Sequence, residues 1–257
     1  MIRRKFILKS GVLAIMSQLS HTSIGDDSSQ KIRPELAKYL GNVESAPESS
    51  IQANHKEAAD KLGDWLAGRI SLGQACQVTI ICTGNSRRSM LGAAMGNAIS
   101  AYLHLPHISF HSGGTMPSAF NKRSIATLKR AGFEIEPTGE NAPPGAEGTP
   151  NPIYTVRWSA DEVVPKMQSL EFSKHYRDQA NPQHEFAAIL VCSEADEACP
   201  AVQGASIRIP APFNDPKSFD NTPQEAKMYD ARRDSIALFM MSALKHAKAK
   251  ANAKRSN

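Results

Sequence analysis

The chain lacks a long apolar run. A membrane-spanning helix needs about 20 consecutive apolar residues, and the stretch Gly11–Met16 falls well short. The body of the protein is therefore expected to be soluble, with no stable membrane insertion. Internal repeats are also missing, which excludes solenoids and propellers. Net charge is scarce: of the formal +5, four charges belong to Arg3, Arg4, Lys5 and Lys9, and without them +1 remains. The residual basic character gathers in the tail Lys245–Arg255, which reads as a solvated helix end, so no nucleic-acid partner is expected. His104, His107 and His111 lie close together, but no acidic residue accompanies them and their strand and loop context offers no common face. Neither a metal site nor a cofactor is expected from them. Cysteines number only four, Cys76, Cys82, Cys192 and Cys199, so each can be weighed singly.

What is present begins with an ordered N-terminal pattern. A basic head, Arg3-Arg4-Lys5 to Lys9, precedes a short apolar middle and a polar end. That order predicts a signal peptide over residues 1–25, with Ser23-Ile24-Gly25 as a small-x-small cleavage site. Arg-Arg-x-Phe-x-x-Lys ahead of a weak apolar core resembles a twin-arginine signal, which implies export to a periplasm. An ordinary basic start on a cytoplasmic protein is the alternative. Residues 26–75 read as a linker and helical extension. Positions 26–50 are rich in Ser, Asp, Glu and Pro, with at most a short helix around Pro34–Leu40. From Gln52 to Leu72, Ala58, Leu62, Trp65, Leu66 and Ile70 recur at helical spacing and predict a helix packed on the core.

Residues 76–257 carry the chemistry. The run Val78-Thr79-Ile80-Ile81 reads as a strand and Met90–Leu103 as a helix. Between them lies Cys82-Thr83-Gly84-Asn85-Ser86-Arg87-Arg88-Ser89. A cysteine, five residues, then Arg-Ser at a strand-to-helix turn suits a sulfur nucleophile meeting a tetrahedral oxyanion. Loop N–H groups and the helix N-terminus converge on one spot and favour negative charge there, including a thiolate on Cys82. Arg88 offers a planar fork for two oxygens of phosphate or arsenate. Ser89 can hydrogen-bond the sulfur, and Gly84 is expected to permit the tight turn. Thr83, Asn85 and Ser86 complete the oxyanion loop, with Arg87 adding charge at its rim.

This loop resembles that of the low-molecular-weight protein tyrosine phosphatase superfamily, which includes the thioredoxin-coupled arsenate reductases. The form Cys-Thr-Gly-Asn-Ser-x-Arg-Ser is most similar to the reductase branch. The resemblance spans about Gln77 to Lys245. It implies an α/β fold with a four-stranded parallel sheet, helices on both faces, and a ligand at the carboxyl end of the first strand, where open α/β sheets place ligands. It also implies that Thr115, Pro117 and Asn121 flank the site. Further strands are expected at His107–His111, Phe133–Glu136, Glu185–Cys192 and Ser206–Pro210. Helices are expected over Ala119–Ala131 and Thr222–Ala249, and Ser112–Thr115 reads as a turn. Residues 137–182 depart from the family's compact form and read as an insertion, an ordered surface excursion being favoured ahead of a lid or a partner surface. It holds a Pro/Gly-rich loop over Gly139–Pro152 and a strand over Ile153–Trp158.

Asn214-Asp215-Pro216 follows the last expected strand, where the resemblance places the general acid. Asp215 is thus the candidate to protonate a departing oxygen, and Pro216 restricts it to extended conformations. Cys192 and Cys199 stand seven positions apart after a core strand. In the reductases that relation implies a relay, with Cys192 attacking Cys82 and Cys199 then attacking Cys192, leaving a disulfide for thioredoxin or a similar reductant. A structural disulfide between Cys192 and Cys199 is the other reading, and an oxidising periplasm favours it. Cys76 is expected to be a packed residue. Arsenate reduction is narrowly favoured at this level, ahead of hydrolysis of phosphotyrosine or small phosphate esters, with non-catalytic oxyanion binding as a third reading. A monomer is expected.

Overall fold

A computed structural model describes residues 32–161, 167–198 and 201–255. The expected signal peptide and cleavage site, together with Cys199 and Pro200, lie outside the described residues. Seven strands and six α-helices follow in order: α1 (Pro34–Glu44), α2 (Ala53–Ser71), β1 (Cys76–Cys82), α3 (Arg88–Tyr102), β2 (Ile108–Gly114), α4 (Lys122–Arg130), β3 (Glu134–Asn141), β4 (Pro152–Arg157), β5 (Gln168–Glu171), β6 (Phe186–Leu190), α5 (Ser193–Ala198), β7 (Ala205–Pro210) and α6 (Glu225–Arg255).

The core is a four-stranded, all-parallel sheet in the order β2-β1-β6-β7, flanked by helices. β1 and β6 are its central strands, and their near-continuous apolar runs are buried almost throughout, as strands covered on both faces require. In this sheet the carboxyl ends of β1, β6 and β7 point the same way. Cys82 ends β1, Cys192 follows β6 by two residues, and Asp215 follows β7 by five. One edge of the sheet therefore collects all three.

α2 is an added helix, as its apolar spacing predicts, and it lies along α6. Ala58, Leu62 and Leu66 are buried, whereas Trp65 is only partly buried: its indole N–H donates to Ser206 Oγ at 3.1 Å and Arg69 stands over its ring. The crossing is close. A Cβ at Gly63 would stand 2.7 Å from His246 Cδ2 and 2.9 Å from the Ala243 carbonyl oxygen. α1 runs beyond the short helix expected at Pro34–Leu40, because Leu36, Leu40 and Val43 repeat the apolar stripe and all three are buried.

The described part of residues 137–182 is ordered as strands together with the end of the preceding segment. β3, β4 and β5 make a separate antiparallel sheet with β4 in the middle. Phe133–Glu136, expected as a strand of the core, instead starts this second sheet. Ser112–Gly114, expected as a turn, continues β2, and Gly114 bridges to the segment after β5. Gly114 N–H donates to the Lys174 carbonyl at 2.9 Å, and Tyr176 N–H donates to the Gly114 carbonyl at 3.0 Å. Because Gly114 is the register partner of Cys82, the second sheet is fastened beside the candidate nucleophile.

Candidate active site

Cys82 is buried, 3% exposed, at the end of β1, and its Sγ lies 3.1 Å from Ser89 Oγ on the first turn of α3. Either atom can donate in that contact, and Asn85 supports the serine as donor. Asn85 Oδ1 accepts from the Lys174 N–H at 2.8 Å, which turns its amide nitrogen toward Ser89, where Nδ2 donates to Oγ at 2.9 Å. With Oγ accepting from Asn85, the serine keeps its own proton available to donate to the sulfur.

The expected role of Gly84 moves by one residue. The left-handed position of the loop is Asn85, with φ 40°, a conformation that asparagine tolerates better than most side chains. Gly84 contributes its carbonyl, which accepts from Ser118 N–H (3.0 Å), Ser118 Oγ (3.1 Å) and Ser173 Oγ (3.0 Å). Thr83 and Ser86 carbonyls accept from the backbone of Met116 and Asn121. With carbonyls turned outward, the amides of Gly84, Asn85, Ser86 and Arg87 find no acceptor among the described residues. Together with the α3 N-terminus they form a concave group of donors. Of the flanking residues expected, Thr115 donates its N–H to the Cys82 carbonyl, Pro117 accepts from Ala146, and Asn121 both braces the loop and caps α4.

Arg88 is buried, 7% exposed. One terminal nitrogen donates to the Phe213 carbonyl and the other to Asp215 Oδ2, each at 2.8 Å. Its Nε is buried and without an acceptor among the described residues. Asp215, half-buried, accepts at Oδ1 from the Lys217 N–H at 3.0 Å. The candidate acid and the anion-binding arginine are thus in direct contact, both tied to the segment after β7. Arg87 takes the other flank: its Nε donates to the Tyr229 hydroxyl at 2.9 Å, and that hydroxyl donates to Asp220 at 2.8 Å. Burial pushes the Tyr229 hydroxyl up to about 12, so it remains a donor.

Cys192 lies beside the loop, its Sγ 3.5 Å from Thr83 Oγ1. Burial raises its pKa, and Cys82 adds to that effect while Arg88 opposes it, so the two sulfurs share one electrostatic environment. Cys82, Cys192 and Cys76 are all free thiols. Cys76 is packed at the start of β1, and burial pushes its thiol up to about 11. The three histidines separate: His104 and His107 are exposed in the turn before β2, and His111 contacts Gln77 at 2.6 Å.

No protein-family model and no curated protein sequence matches the chain. Among solved structures it is similar to a low-molecular-weight phosphotyrosine phosphatase from Vibrio cholerae O395, at 11% identity and TM-score 0.41 over 70% of this chain and 99% of that one. A low-molecular-weight protein tyrosine phosphatase from T. tengcongensis is 13% identical, with TM-score 0.40 over 66% of this chain and 99% of that one. The arginine phosphatase YwlE from Geobacillus stearothermophilus is 15% identical, with TM-score 0.38 over 71% and 97%.

Several residues that shape the site carry no motif. Ser173 and Lys174 reach the loop from the second sheet. His55, on α2, is buried, its Nε2 lies 2.8 Å from the Pro212 carbonyl, and its ring stacks on Phe213 at 4.0 Å. The helical stripe of α2 signals packing, but nothing in it announces a contact with the Asp215 segment.

Proposed function

We propose that the protein is a cysteine-dependent enzyme of the low-molecular-weight phosphatase type, acting on a tetrahedral oxyanion, and that it hydrolyses a phosphate monoester. The observation that carries this reading is the single constellation of Cys82 Sγ on Ser89, the open amides of the loop, and Arg88 with Nε free and Asp215 at its tip. The amides and Arg88 hold the non-bridging oxygens. Cys82 attacks phosphorus; the S–P bond forms as the P–O bond to the leaving group breaks, and Asp215 gives that oxygen its proton. Water then attacks the cysteinyl phosphate, Asp215 takes the water's proton, and phosphate departs as Cys82 is restored.

Arsenate reduction is the second reading, favoured by the place of Cys192 on Thr83. There the Cys82 sulfur displaces one oxygen of arsenate as water, the As–S bond forming as an As–O bond breaks; Cys192 attacks the Cys82 sulfur, and arsenite leaves with the electron pair of the broken As–S bond. Two thiols become one disulfide as arsenic falls by two oxidation states, and an external dithiol, reached through Cys199, restores them.

A paired assay on the reduced protein separates the two. Aryl phosphate hydrolysis that is abolished by Cys82→Ser and indifferent to Cys192→Ala and Cys199→Ala supports the hydrolase. Arsenate turnover with thioredoxin that either second-thiol variant stops supports the reductase. Neither activity, with oxyanion protection against thermal unfolding, leaves a binding protein.

A further inference from the structure

Three guanidinium groups surround the segment that carries Asp215, and two of them are occupied. Arg87 holds Tyr229 and faces Asp220; Arg88 holds the Phe213 carbonyl and Asp215. The third, Arg232 on α6, differs. Its guanidinium carbon stands 5.9 Å from the centroid of the Phe213 ring, the same residue whose carbonyl anchors Arg88. Its Nε is sealed from solvent and meets no hydrogen-bond acceptor among the described residues. Burial holds its pKa below the usual arginine range; repulsion from Arg88 adds to that and attraction to Asp215 opposes it. A partly desolvated cation of this kind is costly unless an anion meets it.

The charges near the reacting position do not balance. Arg87, Arg88 and Arg232 stand against Asp215, Asp220 and Glu194, which Arg88 reaches electrostatically, while Arg123 also faces Asp220 and the exposed Lys217 adds a further positive charge. On the Asp215 side the surroundings are polar, and the exposed apolar side chain beside the loop, Met116, stands on the Thr83 flank. Asp215 and Pro216 are followed by exposed Lys217 and Ser218, while the rings of Phe213 and Tyr229 are buried.

We infer that Arg232 is a second anion-binding group of the Cys82 site, so that the substrate is an oxyanion bearing a further negative group, such as a diphosphate or a phosphate ester with a carboxylate. This rests on the reading that the Cys82 loop takes a tetrahedral oxyanion. The first anion fills the loop amides and the Nε of Arg88, and the second lies on the Phe213 side, within reach of the Arg232 guanidinium, whose Nε has no acceptor among the described residues.

The test is calorimetric titration of inorganic phosphate and inorganic pyrophosphate at constant ionic strength, in a Cys82→Ser background that cannot turn over. Pyrophosphate is expected to bind at least about tenfold more tightly than phosphate, and Arg232→Gln to bring that ratio to within about threefold of unity. Arg232→Lys, which keeps the charge without the fork, is expected to fall between them and serves if the Gln variant fails to fold. Lys217→Gln tests for a merely diffuse field and is expected to leave the ratio in place. A ratio near one in the Cys82→Ser protein, a ratio unmoved by Arg232→Gln and Arg232→Lys, or an equal fall with Lys217→Gln each overturns the inference while phosphate binding still upholds the oxyanion site. Binding of neither anion removes both.

Discussion

On the proposed reading, the Arg88–Asp215 contact sets substrate anion and acid in competition. Arg88 has three N–H-bearing nitrogens; one is fixed on Phe213, one on Asp215, and only Nε is open. An oxyanion that takes the fork in bidentate fashion must draw the second terminal nitrogen away from Asp215, which frees the carboxyl for the leaving oxygen. Asp215→Asn removes the competing charge. Phosphate is expected to bind roughly two- to fivefold more tightly, the scale of one partly exposed ion pair. Turnover of esters with poor leaving groups should fall about 100-fold or more, while esters with good leaving groups lose far less. Equal losses for both ester classes would remove Asp215 as the acid. Weaker phosphate binding would show that the carboxylate supports the anion site instead of competing for it.

The elements show what the residue pattern conveys and what it hides. The parallel strands are legible because strands covered on both faces need uninterrupted apolar runs, and Val78–Ile81 and Phe186–Leu190 are such runs. The Cys82 loop is legible because its chemistry demands fixed residue types in one contiguous stretch. The second sheet is legible only in part: Ile153–Trp158 reads as a strand and becomes β4, and Phe133–Glu136 marks the start of β3, but β3 buries only Ile135 and holds Pro137 and Gly139, so neither period nor composition marks its continuation to Asn141. Its grip on the loop joins Asn85 to Lys174, 89 positions apart, through a backbone N–H that no side-chain motif reports. His55 is hidden for the same reason, being 157 positions from Pro212. Burial holds the His55 pKa below its usual 6.5, so folding favours the neutral ring. That stability is present above the unfolded-state value and is lost as pH falls through the lower folded value. The thermal midpoint should therefore drop as pH falls below about 6.5, and His55→Gln, which keeps a donor for the Pro212 carbonyl, should flatten that part of the curve. An unchanged slope would show that His55 does not carry the acid sensitivity. Gly63 sets the α2–α6 approach. Gly63→Val forces Cβ into the Ala243 carbonyl and should destabilise by about 1–3 kcal/mol, read from denaturant midpoints at unchanged slope.

At the scale of the whole molecule, the site is closed by elements from both ends of the described chain. α6 supplies Tyr229 behind Arg87, Arg232 over Phe213, and the long surface on which α2 lies; α2 in turn supplies His55 under the Asp215 segment. The helical extension thus packs as part of the unit that carries the Cys82 loop. Two truncations test what that packing contributes. A chain starting at residue 32 keeps every contact described above and should match the full chain in thermal midpoint and in phosphate binding. A chain starting at Cys76 loses Ala58, Leu62 and Leu66 from the α6 face and His55 from Pro212 and Phe213. It exposes an apolar groove along α6 and should aggregate, or unfold far below the longer chain, because several buried side chains worth about 1.5–3 kcal/mol each go at once from a fold whose total margin is about 5–15 kcal/mol. If the shorter chain stayed monomeric, folded and bound phosphate with the same affinity, the parallel sheet with α3 and α6 would be self-sufficient, and His55 would have no part in holding Arg88 and Asp215 in place.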